Sequence, residues 1–320
     1  PLLARFGKVT LPLPGGDIIG PRPIDTHIDA FSQLGVRVKV SKKEIELQRP
    51  KSLESTEVIL NEFSVTATEN ILLFAALQGK SIILKTADQD YPIQELIVFL
   101  KRLGVQVETS GLHVIAIKGK KVLGSAEHTL IYDPIEAGTF IVLAAATKGD
   151  IVVKNVELQY LELLLKKLKD FGVPLLVQKK NVHVKPWKTL TIDKIQSFIY
   201  PGIHSDLQSV LGVLATQATG STLLHDPLYE GRLKYLEELN KMGAEIYFTD
   251  PHRAIINGPT RLYGTDLGAF DIRGGAAVII GALLGKGKST ISNIYQVDRG
   301  YEHIEERLQR LGADIKRVNN

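Results

Sequence analysis

The sequence predicts an α/β fold built from repeats of about 70 residues, and three observations support this prediction. A glycine followed by a β-branched run opens each repeat, at Gly7, Gly79, Gly149, Gly220 and Gly287. A second glycine follows the last apolar residue of an amphipathic segment, at Gly35, Gly104, Gly172, Gly243 and Gly312. Successive members of each series lie 67 to 72 residues apart, a regular spacing that is typical of internal repeats.

Each repeat is predicted to contain a strand, a helix, a strand, a helix and a strand. The apolar residues of the second helix share one helical face, as Ile304, Leu308 and Leu311 do in the last repeat. The glycine after this helix can adopt the left-handed conformation that ends a helix. An alternating strand is expected to follow it, for example over residues 36–40 and 313–318.

A more apolar helix, rich in Ala and Gly, precedes the opening strand of each later repeat. These helices are predicted over residues 68–77, 135–147, 205–216 and 274–284, and their composition is typical of buried helices. Thr66 and Glu69 form a candidate capping box for the first of them. A single repeat is too small to bury a core of its own, so several repeats must share one.

The composition excludes several classes of protein. Of the 320 residues, 44% are hydrophobic and 23% charged, which excludes disordered and collagen-like chains. Without Cys the chain can form no disulfide, thiolate metal site or Cys nucleophile, and the eight His residues show no metal-ligand spacing. The net charge of +4 suits an anionic small-molecule substrate but is too small to indicate nucleic acid. No apolar run approaches a membrane span and no signal peptide pattern is present, so we expect a soluble, cytoplasmic protein.

A segment rich in Gly and Pro, residues 13–25, lengthens the first repeat. It carries Asp17 and Arg22, and Asp25 and His27 follow at the start of a predicted helix. The residues alone leave two interpretations open. One is a long surface turn with solvated charges, which they favour, and the other is a mobile lid that closes over a substrate.

Charged residues also stand at the predicted N-terminal ends of helices in the other repeats. A single Asp at such a position is usually a helix cap. An Arg is not explained in this way, because its charge opposes the helix dipole. Arg232, Arg273 and Arg299, together with Arg22, therefore indicate that cations converge on an anionic ligand.

With these residues the chain resembles a known family, the UDP-N-acetylglucosamine 1-carboxyvinyltransferases, which are enolpyruvyl transferases. The resemblance covers essentially the whole chain. Its carriers are LPGGDIIGPRPID (13–25), SVTATENI (64–71), DPIEAGTF (133–140), YPG (200–202) with SDLQ (205–208), and DRGYE (298–302). The related 3-phosphoshikimate 1-carboxyvinyltransferases share the repeats, but their own substrate motifs are absent from this sequence.

The resemblance implies an inside-out α/β barrel fold with two lobes. Residues 1–131 would form the N-terminal lobe, with about two of its three repeats, and residues 132–320 the C-terminal lobe with three repeats. It implies transfer of the enolpyruvyl group of phosphoenolpyruvate to the 3′-hydroxyl of UDP-N-acetylglucosamine, with release of phosphate, in peptidoglycan precursor synthesis. No metal or organic cofactor, nucleic acid or membrane partner is implied, and we expect a monomer.

The resemblance also assigns roles to individual residues. Asp17 falls where most of the family has a Cys and some members have Asp, and a carboxylic acid there can act as general acid. Arg22 and Arg299 fall on positions that hold phosphoenolpyruvate, and Asp206 on the position of the base for the sugar hydroxyl. The remaining substrate-binding positions are Asp25 and His27 on the uridine side, Ser64, Val65 and Thr66 around the diphosphate, and Leu228, Glu230, Arg232, Asp271 and Arg273 for alignment and loop closure.

Some positions depart from the family pattern, namely Thr66 where Gly is frequent, Glu62 where Lys is frequent and Pro134 where Arg is common. Five repeats stand where two lobes of three would need six, so about 100 residues, with a catalytic Lys–Asn pair, are expected to be missing at the front. Two alternatives remain open. The chain could be a non-catalytic UDP-sugar-binding or regulatory homologue, or it could use another acceptor, as Glu62 and Thr66 suggest. Retention of Asp17 and Asp206 favours an enzyme.

Overall fold

The computed structural model describes residues 1–17, 19–21 and 23–318, and the chain divides into two compact units. The first unit consists of Pro1–Gly16 and Arg22–Ile131, and the second of Asp17–Pro21 and Tyr132–Asn320. The short segment Asp17–Pro21 groups with the second unit by its contacts, although it precedes most of the first unit in sequence. Every helix in the described part of the chain is too short or too polar to cross a membrane.

The first unit combines four helices with two sheets. Its helices are α1 (Leu2–Phe6), α2 (Asp25–Gln33), α3 (Val65–Ala75) and α4 (Tyr91–Arg102). One antiparallel sheet has the strand order β1 (Lys8–Pro12), β3 (Glu44–Gln48), β2 (Arg37–Val40). The other has the order β4 (Glu57–Ile59), β5 (Ser81–Lys85), β7 (Val114–Lys118), β6 (Gln106–Ser110), in which β4 and β5 are parallel and the other pairs antiparallel.

Helix α3 organises the core of the first unit. It contacts α1, α2, α4, β5 and β7. Ile71, Leu72 and Phe74 are fully buried on it, within a cluster of apolar side chains from both sheets and all four helices. The apolar composition that predicted a buried helix here therefore reflects contacts on most sides of α3.

The second unit contains the remaining elements. Its helices are α5 (Pro134–Ala146), α6 (Glu162–Asp170), α7 (Ser205–Ala215), α8 (Tyr235–Lys241), α9 (Ile272–Leu284), α10 (Tyr295–Asp298) and α11 (Ile304–Arg310), with 3-10 helices at Leu158–Tyr160 and Arg232–Lys234. Its sheets have the orders β8 (Ile151–Val153), β10 (Asn181–Val184), β9 (Leu175–Gln178), then β11 (Lys194–Gln196), β12 (Gly220–His225), β14 (Arg253–Gly258), β13 (Glu245–Asp250), and finally the parallel pair β15 (Asp266–Gly268), β16 (Thr290–Ser292).

The sheets repeat in the way the glycine spacing predicts. Both four-stranded sheets consist of a parallel pair followed by an antiparallel hairpin, and both three-stranded sheets share one strand order. The two repeats with four-stranded sheets each have one strand more than predicted, because they end in a hairpin rather than in a single strand. The closing glycines adopt the expected left-handed conformation, with φ between 80° and 102°.

The four predicted buried helices are confirmed as α3, α5, α7 and α9, each within a few residues of its expected bounds. Three details were wrong. Ser64, not Thr66, caps α3, because its hydroxyl accepts the N–H of Ala67 at 3.3 Å and Thr66 lies inside the helix. Residues 313–318 form no strand, since the described chain supplies no hairpin partner for them, and Leu311 is exposed beyond the end of α11.

The inner helices α5, α7 and α9 of the second unit pack against one another. Each begins at a polar side chain that accepts backbone N–H groups of the first turn. Asp133 accepts from Ile135, His204 from Asp206, and Asp271 from both Arg273 and Gly274. These caps satisfy backbone donors that the helix itself leaves free, and they bring polar groups to the N-terminal ends of otherwise apolar helices.

Candidate functional site

The carboxylate of Asp206, in the first turn of α7, lies between two arginines from other elements. Its Oδ1 accepts a hydrogen bond from Arg232 Nη2 at 2.6 Å, and its Oδ2 accepts one from Arg273 Nε at 3.0 Å. Arg232 belongs to the 3-10 helix before α8, and Arg273 to the first turn of α9. Two of the four arginines singled out in the sequence therefore meet, but on an aspartate of their own unit.

This pairing controls the charge of Asp206. Burial alone would raise the pKa of its carboxyl, but His204, Arg232 and Arg273 lower that pKa to about 2. The carboxylate is therefore ionised at neutral pH, and it is a weak proton acceptor for as long as both arginines hold it.

Arg232 is buried, and each of its guanidinium nitrogens has a partner. Besides the bond to Asp206, its Nε donates to Ser205 Oγ at 3.1 Å and its Nη1 reaches Asp271 Oδ1 at 3.5 Å. The guanidinium also lies over the ring of Tyr229, 5.2 Å from the ring centroid. Its charge is balanced within the unit, so Arg232 organises the network more than it offers a free cation.

A buried carboxylate that the sequence analysis missed completes the network. Asp226 is fully buried, and its Oδ2 accepts the hydroxyl proton of Ser205 at 2.6 Å. Its Oδ1 accepts the backbone N–H groups of Leu228 and Tyr229 at 3.0 and 3.2 Å. The available signal was an Asp directly before Pro227 at the end of a strand, a combination typical of side-chain-capped turns.

Arg273 keeps one free donor. Its guanidinium lies 5.2 Å from the ring centroid of Tyr301, whose hydroxyl is 2.8 Å from Thr139 Oγ1. Its Nη1 is buried and has no hydrogen-bond partner among the described residues. Asp133, the cap of α5, also acts electrostatically on Arg273 and helps to raise its pKa. A buried donor without a partner costs free energy, which an anionic ligand could recover.

The segment with Asp17 is docked on the second unit rather than solvated. Asp17 forms an ion pair with Arg299, whose Nη1 also donates to Gln296 Oε1 at 3.2 Å. Ile19 is buried, and its carbonyl accepts the N–H of Gly231 at 2.8 Å. A Cβ at position 231 would lie 2.7 Å from the carbonyl carbon of Ile19, so this approach requires glycine. The geometry therefore differs from the solvated surface turn that the residues alone favoured, and closure of this segment over a substrate stays a prediction.

The first unit holds a separate polar cluster. On α2, Nδ1 of His27 lies 2.9 Å from Asn70 Nδ2 and Nε2 lies 3.2 Å from Thr66 Oγ1, which assigns the proton to Nε2. Burial lowers the pKa of His27, and the nearby charge of Glu62 only partly opposes this, so the ring is neutral at pH 7. Glu62 accepts the hydroxyl proton of Thr26 at 2.9 Å. Asn70 was not singled out in the sequence, although it lies within the 64–71 motif.

The structure thus distributes the predicted site residues over two clusters. The cluster of the first unit contains Asp25, His27, Ser64, Val65 and Thr66, of which Asp25 and Thr66 are exposed. The cluster of the second unit contains Asp17, Asp206, Leu228, Glu230, Arg232, Asp271, Arg273 and Arg299, of which Leu228, Glu230 and Arg299 are exposed. Arg22 lies outside the described residues. Within the described ranges, the structure shows no group of acidic or His side chains that could hold a metal ion.

Solved structures with the same fold include two enolpyruvyl-transferase types. The enolpyruvyl transferase NikO from Streptomyces tendae superimposes with a TM-score of 0.87 at 23% identity, covering 98% of this chain and 75% of that one. An EPSP synthase from Acinetobacter baumannii gives a TM-score of 0.73 at 18% identity, covering 95% of this chain and 73% of that one. These similarities show the fold, the two-lobed architecture expected of the resemblance.

The sequence comparisons are more specific. The family model for EPSP synthase (3-phosphoshikimate 1-carboxyvinyltransferase) matches residues 1–308. A UDP-N-acetylglucosamine 1-carboxyvinyltransferase from Treponema denticola is 37% identical over 99% of this chain and 76% of its own length. A protein of the same name from Bradyrhizobium diazoefficiens is 40% identical over 99% of this chain and 75% of its own length. The chain therefore belongs to the enolpyruvyl transferase family, among the UDP-N-acetylglucosamine 1-carboxyvinyltransferases.

Proposed function

We propose that the protein transfers the enolpyruvyl group of phosphoenolpyruvate to the 3′-hydroxyl of UDP-N-acetylglucosamine and releases phosphate. This is the first committed step of peptidoglycan precursor synthesis, so we also propose a cytoplasmic location, and that the enzyme acts as a monomer. The observation that carries the proposal is the Asp206 carboxylate held between Arg232 and Arg273, because it joins a base and cations at the ends of three helices. The names of the relatives support the same reaction.

The proposed chemistry is an addition followed by an elimination. The sugar oxygen adds to C2 of phosphoenolpyruvate and a proton adds to C3. Loss of phosphate and of a proton from C3 then restores the vinyl group. Asp17 supplies the general acid, and Arg299 binds the anionic groups of phosphoenolpyruvate, together with Arg22. The Asp17–Arg299 ion pair places the proposed acid beside a cation proposed to bind phosphoenolpyruvate. Asp17 can donate a proton only after the anionic groups of the substrate have drawn Arg299 away and Asp17 has become protonated.

Asp206 can act as the base only if its hydrogen bonds from the two arginines are weakened. A phosphate oxygen that accepts from Arg273 Nη1 would compete with Asp206 for the same guanidinium. Less charge stabilisation raises the pKa of the carboxylate and makes it a better acceptor for the hydroxyl proton. Substrate binding would thereby switch on the base.

The cluster of the first unit is the proposed nucleotide side. Ser64, Val65 and Thr66 form the N-terminal end of α3, where backbone N–H groups and the helix dipole favour phosphate. His27 and Asp25 on α2 would face uridine. Glu62 adds negative charge next to this cluster, so the diphosphate must draw its remaining donors from elsewhere.

Phosphate release tests the proposal directly. Phosphate is measured with phosphoenolpyruvate and UDP-N-acetylglucosamine together and separately, on the chain and on the protein as its gene encodes it. We expect release only when both substrates are present. Asp17→Asn keeps an oxygen for Arg299 but removes the acid, and turnover should fall by roughly 10²- to 10⁴-fold.

Two outcomes would contradict the proposal. Unchanged turnover in Asp17→Asn would exclude the assigned acid. Binding of UDP-N-acetylglucosamine without release of phosphate, in the protein as its gene encodes it, would support the non-catalytic UDP-sugar-binding homologue instead.

A further inference from the structure

Asp226 is a buried carboxylate whose two oxygens serve different parts of the second unit. Oδ1 holds the N–H groups of the turn that leads to Glu230, and Oδ2 holds the hydroxyl of Ser205. An ionised carboxylate in the interior is costly unless it is fully hydrogen-bonded, and these donors supply what Asp226 needs. The Asp226 side chain is fully buried, and it is connected to Arg232 through the hydroxyl of Ser205.

The hydrogen bonds from Asp226 to Asp206 can run in one direction only. A guanidinium can donate but not accept, so Ser205 Oγ must be the acceptor of Arg232 Nε. The single proton of the Ser205 hydroxyl is then left for Asp226. Arg232 Nη2, held in place by this arrangement, donates to Asp206. The buried side chain of Asp226 therefore fixes the orientation of the Arg232 guanidinium through the Ser205 hydroxyl.

We infer that Asp226 is a positioning residue: through the Ser205 hydroxyl it fixes the guanidinium of Arg232 and, with it, the carboxylate of Asp206. This inference rests on the proposed function for its effect on turnover. Its structural content, the immobilised guanidinium, holds for the protein whatever reaction the protein catalyses.

The first test removes the hydrogen-bonded connection from Asp226 through Ser205 to Arg232, called the relay below, and then restores it. Ser205→Ala deletes the hydroxyl, whereas Ser205→Thr keeps it. In the protein as its gene encodes it, kcat should fall by on the order of 10²-fold in Ser205→Ala, because a small displacement of a catalytic group has effects of this size. KM for both substrates should change little, and Ser205→Thr should recover most of kcat.

Ser221→Ala is the matched control. Its hydroxyl also donates to a side-chain oxygen, that of Asn257 at 2.7 Å, but at an exposed position of β12 and with no bond to the network of Asp226, Ser205 and Arg232. It should leave kcat unchanged. Equal losses in Ser205→Ala and Ser221→Ala, or no rescue by Ser205→Thr, would overturn the inference.

A double-mutant cycle separates the relay from the turn. Asp226→Asn keeps an oxygen for the N–H groups of Leu228 and Tyr229 but replaces the acceptor of the Ser205 proton. If Asp226 acts through Ser205, the double variant should have nearly the same kcat as Ser205→Ala alone. Losses that multiply would show that Asp226 acts through the turn only, and would refute the inference.

Solvent exchange of the Arg232 Nε proton, followed by ¹⁵N NMR of arginine-labelled protein, gives a result without turnover. We expect slow exchange in the unsubstituted protein and in Ser205→Thr, and exchange at least tenfold faster in Ser205→Ala. Absence of phosphate release in the unsubstituted protein would refute the proposed function alone. Exchange unaffected by Ser205→Ala would refute the positioning role alone.

Discussion

At the scale of single residues, the aspartates of the second unit's network are all hydrogen-bonded, whereas Arg273 keeps a buried donor without a partner. Asp206, Asp226 and Asp271 each accept at least two hydrogen bonds, from side chains or from backbone N–H groups. Each guanidinium nitrogen of Arg232 donates to Ser205, Asp206 or Asp271, but Arg273 retains its buried Nη1 without a partner. Because desolvated charges need full pairing, this remaining donor is where an additional anion would be stabilised most.

The low pKa of Asp206 predicts a dependence of stability on pH. This pKa is about 2 in the folded protein and 3.8 in a free side chain. A group with a lowered pKa stabilises the fold above its unfolded pKa, and this contribution is lost as the pH falls through the folded value. As the pH falls from 4 to 2, protonation of Asp206 should therefore lower the free energy of unfolding by on the order of 2 kcal/mol.

Denaturant unfolding of Asp206→Asn measures this contribution. The variant cannot titrate at this position, so its deficit in unfolding free energy relative to the unsubstituted protein should shrink over the same pH range. Asp314→Asn, at an exposed aspartate, is the control and should show a constant difference. A deficit in Asp206→Asn that does not change with pH would disprove the pairing.

Asp17 predicts insensitivity to fosfomycin, which alkylates the loop Cys found in most of the family. A carboxylate is a weaker nucleophile towards an epoxide than a thiolate. We expect full activity of the unsubstituted protein in the presence of the inhibitor, and progressive inhibition of Asp17→Cys with a covalent adduct in its mass spectrum. An adduct on Asp17 itself would be the contrary result.

At the scale of elements, α7 and α8 meet at a glycine. A Cβ at Gly212 would overlap the hydroxyl of Tyr235, and both positions are fully buried. Alanine would favour the helix by about 1 kcal/mol, but overpacking costs about 1–3 kcal/mol. We therefore expect Gly212→Ala to lower the free energy of unfolding, as measured by denaturant titration.

Two further variants test the cause of this loss. Tyr235→Phe removes the overlapping oxygen and should recover part of the loss when it is combined with Gly212→Ala. Gly111→Ala, where a Cβ would meet no atom within 4 Å, should leave the stability nearly unchanged. A stabilising Gly212→Ala would mean that the neighbouring helix yields.

The elements show how far the sequence predicts this molecule. Apolar composition located α3, α5, α7 and α9, and the spacing of the glycines located the helix ends, because both signals are local along the chain. The cap of α3 was misplaced by two residues, since Ser64 and Thr66 are both acceptable caps and only the backbone distinguishes them.

The pairing within the site was beyond the reach of the sequence. Arg273 and Asp206 are 67 residues apart, and Ser205 and Asp226 are 21 apart, so no local pattern relates them. The sequence identified the arginines as unusual, but it indicated an external anion where the structure supplies carboxylates. The sequence does not indicate a site role for Asp226, because a turn is a sufficient explanation for an Asp that precedes a Pro.

At the scale of the whole molecule, each unit carries its own core and its own polar cluster, so binding can be tested without turnover. A ligand that binds only the folded state adds about 2.7 kcal/mol to the free energy of unfolding at a hundred times its dissociation constant. We expect UDP-N-acetylglucosamine to raise the melting temperature of the protein, and free N-acetylglucosamine to raise it less. Identical shifts for both would exclude the proposed nucleotide side.

The contact between Ile19 and Gly231 ties the loop, through a peptide hydrogen bond, to the residue that directly precedes Arg232. In the proposed function, in which the loop closes over the substrate, loop closure and ligand binding beside Gly231 are linked equilibria, and thermodynamic reciprocity makes their coupling factor the same in both directions. A substitution at Gly231 that keeps the loop from closing should therefore lower the affinity for such a ligand. The expected factor is the one by which the bound ligand favours the closed loop. The measured affinity for this ligand then reports the population of the closed loop.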